Sequence, residues 1–201
     1  MRIIVAAILG TIVVFVWGAV SWTVLDLWGD EIRELPASEA LVSEIGSTID
    51  EPGAYVFPPM PDPPPDASEE ERAALMQAWT EASNEGPAGV LLVRPNGVEP
   101  MNPSMFIVGF LLEFGGALLI SLVLAIAAQA GLGRAGRIVI GIGLVGFAVI
   151  AGVLVPGNFM ILPADWVKAM AGDLAIGWSL AVVVIAFVVK SRSGGGRHAR
   201  I

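Results

Sequence analysis

The chain has 201 residues, of which 55% are hydrophobic and 15% charged, and its mean hydropathy is +0.76. This composition excludes an ordinary soluble domain and indicates a membrane protein. The formal net charge is −8, and because cysteine is absent, neither disulfides nor thiol chemistry is available.

Four apolar segments each approach the roughly 20 residues that span a hydrocarbon core about 30 Å thick. They run through residues 3–25, 104–128, 138–155 and 169–189. We therefore predict a membrane all-α fold, a four-transmembrane-helix bundle with a small extracytoplasmic α+β insertion. The predicted divisions are transmembrane helices at 1–25, 104–130, 138–156 and 164–190, an acidic α+β domain at 26–103, and a disordered cytoplasmic tail at 191–201.

The first segment allows two interpretations. Arg2, an apolar stretch and the small pair Ala19 and Ser21 match the processing site of a cleaved signal peptide. The apolar run continues past Trp22, however, to a length that spans a bilayer. We expect a retained transmembrane anchor.

The sequence of the insertion, residues 26–103, predicts alternating helices and strands. Ser38 is the expected N-cap of a first helix, and a strand follows at residues 54–57. Six prolines among residues 58–65 exclude a helix there and favour polyproline II. Ser68 and Glu71 fit a capping box that opens a second helix, and residues 89–93 form a second strand. We expect a two-stranded sheet with helices on one face.

Charge predicts the orientation, since Lys and Arg near the ends of spans favour the cytoplasm. Residues 26–103 hold 16 acidic and 3 basic residues, a net charge of −13. Basic residues lie instead at the start of the chain, between the second and third segments, and after the fourth. We expect residues 26–103 outside and both termini inside, in a bacterial inner membrane.

Glu113 lies inside the second apolar segment, where a carboxylate is costly unless it is paired, protonated or facing a cavity. Small residues at four-residue spacing predict a ridge that contacts a neighbouring helix. In the second segment the ridge is Gly109, Glu113, Ala117, Ser121 and Ala125. In the fourth it is Ala169, Asp173, Gly177 and Ala181, and in the first it is Ala7, Thr11, Val14, Gly18 and Ser21.

The two intramembrane acids are predicted to meet. At a rise of about 1.5 Å per residue, Glu113 and Asp173 lie at a similar height, about 25 Å from the cytoplasmic end. We predict that their carboxyls face each other and share a proton, which turns repulsion into a hydrogen bond. Ser21 and Asn158 are the expected neighbours and complete a candidate intramembrane polar site.

The third segment contains the pattern G-x-G-x-x-G at Gly141, Gly143 and Gly146. No strand precedes it, so we do not interpret it as a dinucleotide-binding loop. Small residues let helices approach closely, and Gly141, Ala148 and Gly152 are the predicted packing face.

No catalytic, cofactor-binding or metal-binding residues and no cofactor are expected. The only histidine, His198, lies in the predicted tail, which argues against a Ser-His-Asp triad, a histidine-rich zinc site and haem ligation by histidine. The outer carboxylates lack EF-hand spacing and predict a solvated acidic face. These carboxylates are Asp62, Asp66, Glu69, Glu70 and Glu71.

Short motifs are spread over nearly the whole chain. They are Trp17-Gly18 with Ser21-Trp22, Pro52-Gly53 before Tyr55 and Phe57, Gly86-Pro87, Glu113-Phe114, and Asp173 with Gly177-Trp178. In these motifs the chain resembles an uncharacterised family of small bacterial inner-membrane proteins with four transmembrane helices and an extracytoplasmic insertion after the first helix. The resemblance implies the same topology and no particular activity.

Three functions stay open. We expect a non-enzymatic accessory or scaffold protein of the bacterial inner membrane, whose partners are the lipid bilayer and either a membrane protein or a second copy of the chain, with no nucleic acid. The alternative is a small transporter or channel component that uses Glu113 and Asp173 as a proton or cation pathway. The third is a hydrolase with its site in the outer segment. The same two acids also suit helix–helix contact or binding of a lipid headgroup, cofactor or partner.

Overall fold

The computed structural model describes residues 1–29 and 31–189. The predicted tail at 191–201, with His198, lies outside the described residues. In chain order the elements are α1 (Arg2–Thr23), α2 (Ser38–Thr48), β1 (Gly53–Phe57), α3 (Glu69–Glu85), β2 (Gly89–Val93), α4 (Pro103–Gln129), α5 (Arg134–Val149), a π-helical segment (Ile150–Leu154), α6 (Val155–Phe159) and α7 (Ala164–Val188).

The chain forms two compact units. Among the described residues, the first comprises 1–29, 31–32, 101–157 and 163–189, and the second comprises 33–100 and 158–162. Within the described part of the chain, four helices are long and apolar enough to cross a membrane: α1, α4, the run from α5 to α6, and α7. The predicted helical bundle with a small sheet is therefore present, and its insertion in a membrane is suggested by composition.

The first unit is organised around α1 and α7. α1 packs against both α4 and α7, and α5 packs mainly against α7. The rings of Phe15 and Phe110 meet edge to face with centroids 5.7 Å apart, which adds an aromatic contact between α1 and α4.

Small side chains build the core where the start of α1 meets the ends of α4 and α7. Alanine lets the helix backbones approach closely, so the bundle is held by packing at short range. The buried core residues are Ala6, Ala7, Ala117, Leu124, Ala125, Ala128, Ile185, Ala186 and Val189. This burial confirms the inner parts of the ridges predicted on α1, α4 and α7, whose Thr11, Ser121 and Ala181 are also fully buried. At the outer ends, an added Cβ on Gly18 or Gly109 would meet no atom within 4 Å.

The packing face predicted for the third span is only partly right. Gly141 is buried against Val182, but Ala148 and Gly152 are exposed. The buried positions of α5 are Arg137, Gly141 and Val145, a strict four-residue row. Val153 lies two four-residue steps beyond Val145, so the same row continues into the π-helical segment.

Both arginines in the first turn of α5 contact the end of α7. Arg137 is buried, and its Nη1 donates a hydrogen bond to the carbonyl oxygen of Val189 at 2.7 Å. The guanidinium of Arg134 lies 4.9 Å from the ring centroid of Phe187. A cation at a helix C-terminus satisfies free carbonyls and complements the helix dipole.

The second unit contains the predicted sheet. β1 and β2 pair antiparallel, with Gly53 opposite Val93 and Phe57 opposite Gly89. The predicted N-cap of α2 is wrong, because Ala37 occupies the cap position and Ser38 is the first helical residue.

The capping box of α3 is confirmed. Ser68 Oγ accepts from the Glu71 amide at 3.3 Å, and the Ser68 amide donates to Glu71 Oε2 at 2.8 Å. The proline segment is fastened to the same helix, because Arg72 donates to the carbonyls of Pro64 and Pro65 and Trp79 donates to that of Pro58.

Candidate functional site

A cavity of about 330 Å³ lies between the last turns of α1, the π-helical segment, and the N-terminal halves of α4 and α7. Its two acidic residues are Glu113 and Asp173, the acids that the sequence singles out. The remaining lining is aromatic, aliphatic or glycine. The tryptophans among the lining residues are Trp17, Trp22, Trp28 and Trp178.

Asp173 is held in place by Trp17. The indole Nε1 of Trp17 lies 2.6 Å from Asp173 Oδ1 and 3.2 Å from the Asp173 carbonyl oxygen. One turn later, a Cβ added to Gly177 would lie 2.5 Å from Cδ1 of Trp17. Glycine at this position therefore lets the indole lie across α7 and reach the acid.

Glu113 lacks such a partner. Its Oε2 is buried, and no group within residues 1–29 or 31–189 forms a hydrogen bond with it. Glu113 and Asp173 thus line one cavity, but the hydrogen bond that holds Asp173 comes from Trp17. A proton shared between the two acids stays a prediction.

The other two predicted site residues, Ser21 and Asn158, are not among the residues that line the cavity. Ser21 is fully buried and is not a lining residue, and its hydroxyl donates to the Gly18 carbonyl at 3.1 Å. Asn158 belongs to the second compact unit, while the cavity belongs to the first.

A tryptophan cluster forms one end of the cavity. The rings of Trp22 and Trp28 stack with centroids 5.1 Å apart, and Trp166 meets Trp28 edge to face at 5.2 Å. Trp28 is only 8% exposed, and its Nε1 is a second buried polar atom without a hydrogen-bond partner among the described residues. No motif in the sequence predicted this cluster, although five of the six tryptophans lie in the spans that line the cavity or beside them.

An apolar groove adjoins the cavity. It encloses about 370 Å³ between α4, α5 and α7, and Leu174 and Trp178 line both volumes. The indole of Trp178 lies against Gly116, where an added Cβ would come within 2.6 Å of its Cη2. Trp178 is therefore the partition between a polar volume and an apolar one.

The acidic surface of the second unit is a weaker candidate for a binding site than the cavity of the first unit. An open groove along α3 is lined by Asp66 and Glu71, among others. Glu71 is engaged by the Ser68 amide and hydroxyl, and these hydrogen bonds lower the pKa of its carboxyl. In the part of the chain that the structure describes, no three metal-ligating side chains lie close enough to hold an ion.

The cavity is chemically suited to binding. Its volume falls in the range of roughly 300–1,000 Å³ that is typical of small-molecule sites, and it combines apolar walls with a few polar groups. Comparison with protein-family models, curated proteins and solved structures finds no match to this chain.

Proposed function

We propose that this chain is a four-span protein of the bacterial inner membrane, of the kind that its short motifs resemble, with residues 26–103 outside and both termini in the cytoplasm. Its role is that of a non-enzymatic accessory protein that binds a ligand in the cavity of the first unit. The length of the four apolar helices and the distribution of arginines support this topology.

The observation that carries the proposal is the unpaired carboxyl of Glu113 in the cavity wall. A buried polar atom without a hydrogen bond costs about 1–3 kcal/mol, and more when it is charged. Such a group in a native protein calls for an explanation, such as a bound water, an ion or a functional role, and an ionisable residue inside a membrane span is a candidate functional site. Glu113 is therefore a binding group.

Binding explains the cavity better than transport does. Beyond it, the bundle is filled by side chains with 0% exposure, such as Thr11, Ala117 and Ile185. Close-packed interiors leave few voids larger than a water molecule. Transport through the bundle would require the alanine-rich core between α1, α4 and α7 to open.

Cysteine labelling tests the topology, because the chain contains no cysteine. Glu70→Cys in α3 should react with an impermeant thiol reagent in spheroplasts, whereas Gly133→Cys, between α4 and α5, should react only after lysis. The reverse pattern would show that the orientation is wrong.

Native mass spectrometry of the full chain in mild detergent tests the binding. Gly18 lines the cavity, and a Cβ there would meet no atom within 4 Å, so Gly18→Leu fills the cavity without a clash at Cβ. Gly115→Leu is the matched control, because Gly115 also has open space around its Cβ and does not line the cavity.

The wild type and Gly115→Leu should retain a bound mass that Gly18→Leu loses. A protein without any bound mass, or one that Gly18→Leu leaves unchanged, refutes the binding function. Proton or cation flux in liposomes that Glu113→Gln abolishes would favour the transporter instead.

A further inference from the structure

We propose that the cavity binds an organic ammonium group and that the adjoining apolar groove takes the alkyl chain attached to it. This inference rests on the proposed binding function and adds the chemical class of the ligand.

The charge of the cavity selects a cation. Glu113 and Asp173 are its ionisable lining residues, and no lysine, arginine or histidine is among the lining side chains described. An anionic ligand would meet two acids without a compensating base. A ligand cation instead supplies the partner that Glu113 lacks.

The walls select an organic cation over a metal ion. Calcium and magnesium require several oxygen ligands, and the described residues hold no cluster of three metal-ligating side chains. Tryptophan is the best aromatic partner for an ammonium ion, and four tryptophans line this cavity. The ring of Trp28 is also fixed between Trp22 and Trp166, so part of the aromatic wall is ordered before a ligand arrives.

The neighbouring groove predicts the rest of the ligand. It adjoins the cavity at Leu174 and Trp178, which line both volumes, and is otherwise lined by apolar residues such as Leu119, Val123 and Leu144. A molecule with an ammonium head and an alkyl chain matches both volumes. Such a molecule is either a lipid with an amine headgroup or a free alkylammonium compound.

The experiment uses the full chain in dodecyl maltoside and two probes. Decyltrimethylammonium is titrated while tryptophan fluorescence is recorded, with decyl maltoside as the uncharged probe of equal chain length. Native mass spectrometry then compares the binding of phosphatidylethanolamine and phosphatidylglycerol at equal concentrations. The variants are Glu113→Gln, which keeps the shape and removes the charge, and Gly18→Leu, with Gly115→Leu as the control.

We expect saturable binding of decyltrimethylammonium, a Kd at least tenfold weaker in Glu113→Gln, and no binding in Gly18→Leu. A preference for phosphatidylethanolamine that depends on Glu113 identifies the lipid as the source of the ammonium group, and its absence identifies the free compound. Equal binding to wild type and Glu113→Gln, or equal binding of charged and uncharged probes, overturns the inference. If Gly18→Leu alone removes a neutral or anionic bound mass, the binding function stands and the ammonium class is wrong.

Discussion

The indole N–H of Trp17 on α1 donates to the carboxyl of Asp173 on α7, although the two residues are 156 positions apart in the chain. The donor lies 2.6 Å from Oδ1, and both residues line the cavity that contains Glu113. One hydrogen bond therefore connects the first and last spans and sets the position of one of the two cavity acids.

Loss of this hydrogen bond should destabilise the bundle. Trp17→Phe keeps an aromatic ring but removes the donor, so we expect a loss of about 0.5–2 kcal/mol in the free energy of unfolding, the range for hydrogen bonds between membrane helices. SDS-induced unfolding in mixed micelles measures the change.

Variants of the acceptor provide the control. Asp173→Asn retains an oxygen that can accept from the indole and should cost less than Asp173→Leu. In a double-mutant cycle, Trp17→Phe and Asp173→Leu should be clearly non-additive. Additive effects would contradict the role of this hydrogen bond.

Local periodicity predicted part of this site and long-range contacts decided the rest. The four-residue spacing of Glu113, Ala117 and Ser121 was enough to predict which face of α4 is buried, and the same holds for Asp173 on α7. The partner of Asp173 was not predictable, because spacing along one helix says nothing about which indole of another helix lies across it.

The remaining errors have local causes. Trp28 follows α1 and packs between Trp22 and Trp166, an arrangement that depends on the course of the chain after the helix. In the third span, the buried residues Gly141, Val145 and Val153 follow steps of four, whereas the predicted face moved seven residues from Gly141 to the exposed Ala148 and then to Gly152.

The capping box of α3 should respond to pH. Hydrogen bonds from Ser68 lower the pKa of the Glu71 carboxyl below its usual 4.5. This carboxyl therefore binds a proton less readily in the folded state than in the unfolded state. The stabilisation is therefore complete above pH 4.5 and is lost as the pH falls through the lowered pKa. Hydrogen exchange of the α3 amides in the full chain, corrected for intrinsic rates, should show weaker protection over that range.

Glu71→Gln provides the control, because glutamine keeps an acceptor for the Ser68 amide and does not titrate. Its α3 protection should be nearly independent of acid pH. Ser68→Ala removes the cap and should cost about 1 kcal/mol of local stability at neutral pH. Equal acid sensitivity in wild type and Glu71→Gln would show that another group is responsible.

Arg137 should stabilise the end of α7. Arg137→Met removes the donor to the Val189 carbonyl, and we expect the free energy of unfolding to fall by about 1 kcal/mol. The loss is small because the variant no longer has to bury a charged guanidinium, which partly offsets the lost hydrogen bond. Arg134→Met should cost less, since its contact with Phe187 involves a ring face and no hydrogen bond is described for it. Thermal unfolding in detergent compares the two, and a larger effect of Arg134→Met would contradict this assignment.

Adjacent glycines on α4 offer a matched test of the partition formed by Trp178. A Cβ at Gly116 would lie 2.6 Å from Cη2 of Trp178, whereas a Cβ at Gly115 would meet no atom within 4 Å. Gly116→Ala should therefore displace the indole and cost about 1–3 kcal/mol, the usual cost of overpacking. Gly115→Ala should be neutral or slightly stabilising, since alanine is the better helix former. Thermal unfolding measures the stability difference, and tryptophan fluorescence should change only in Gly116→Ala. Equal behaviour of the two variants would mean that Trp178 does not rest on Gly116 in the folded protein.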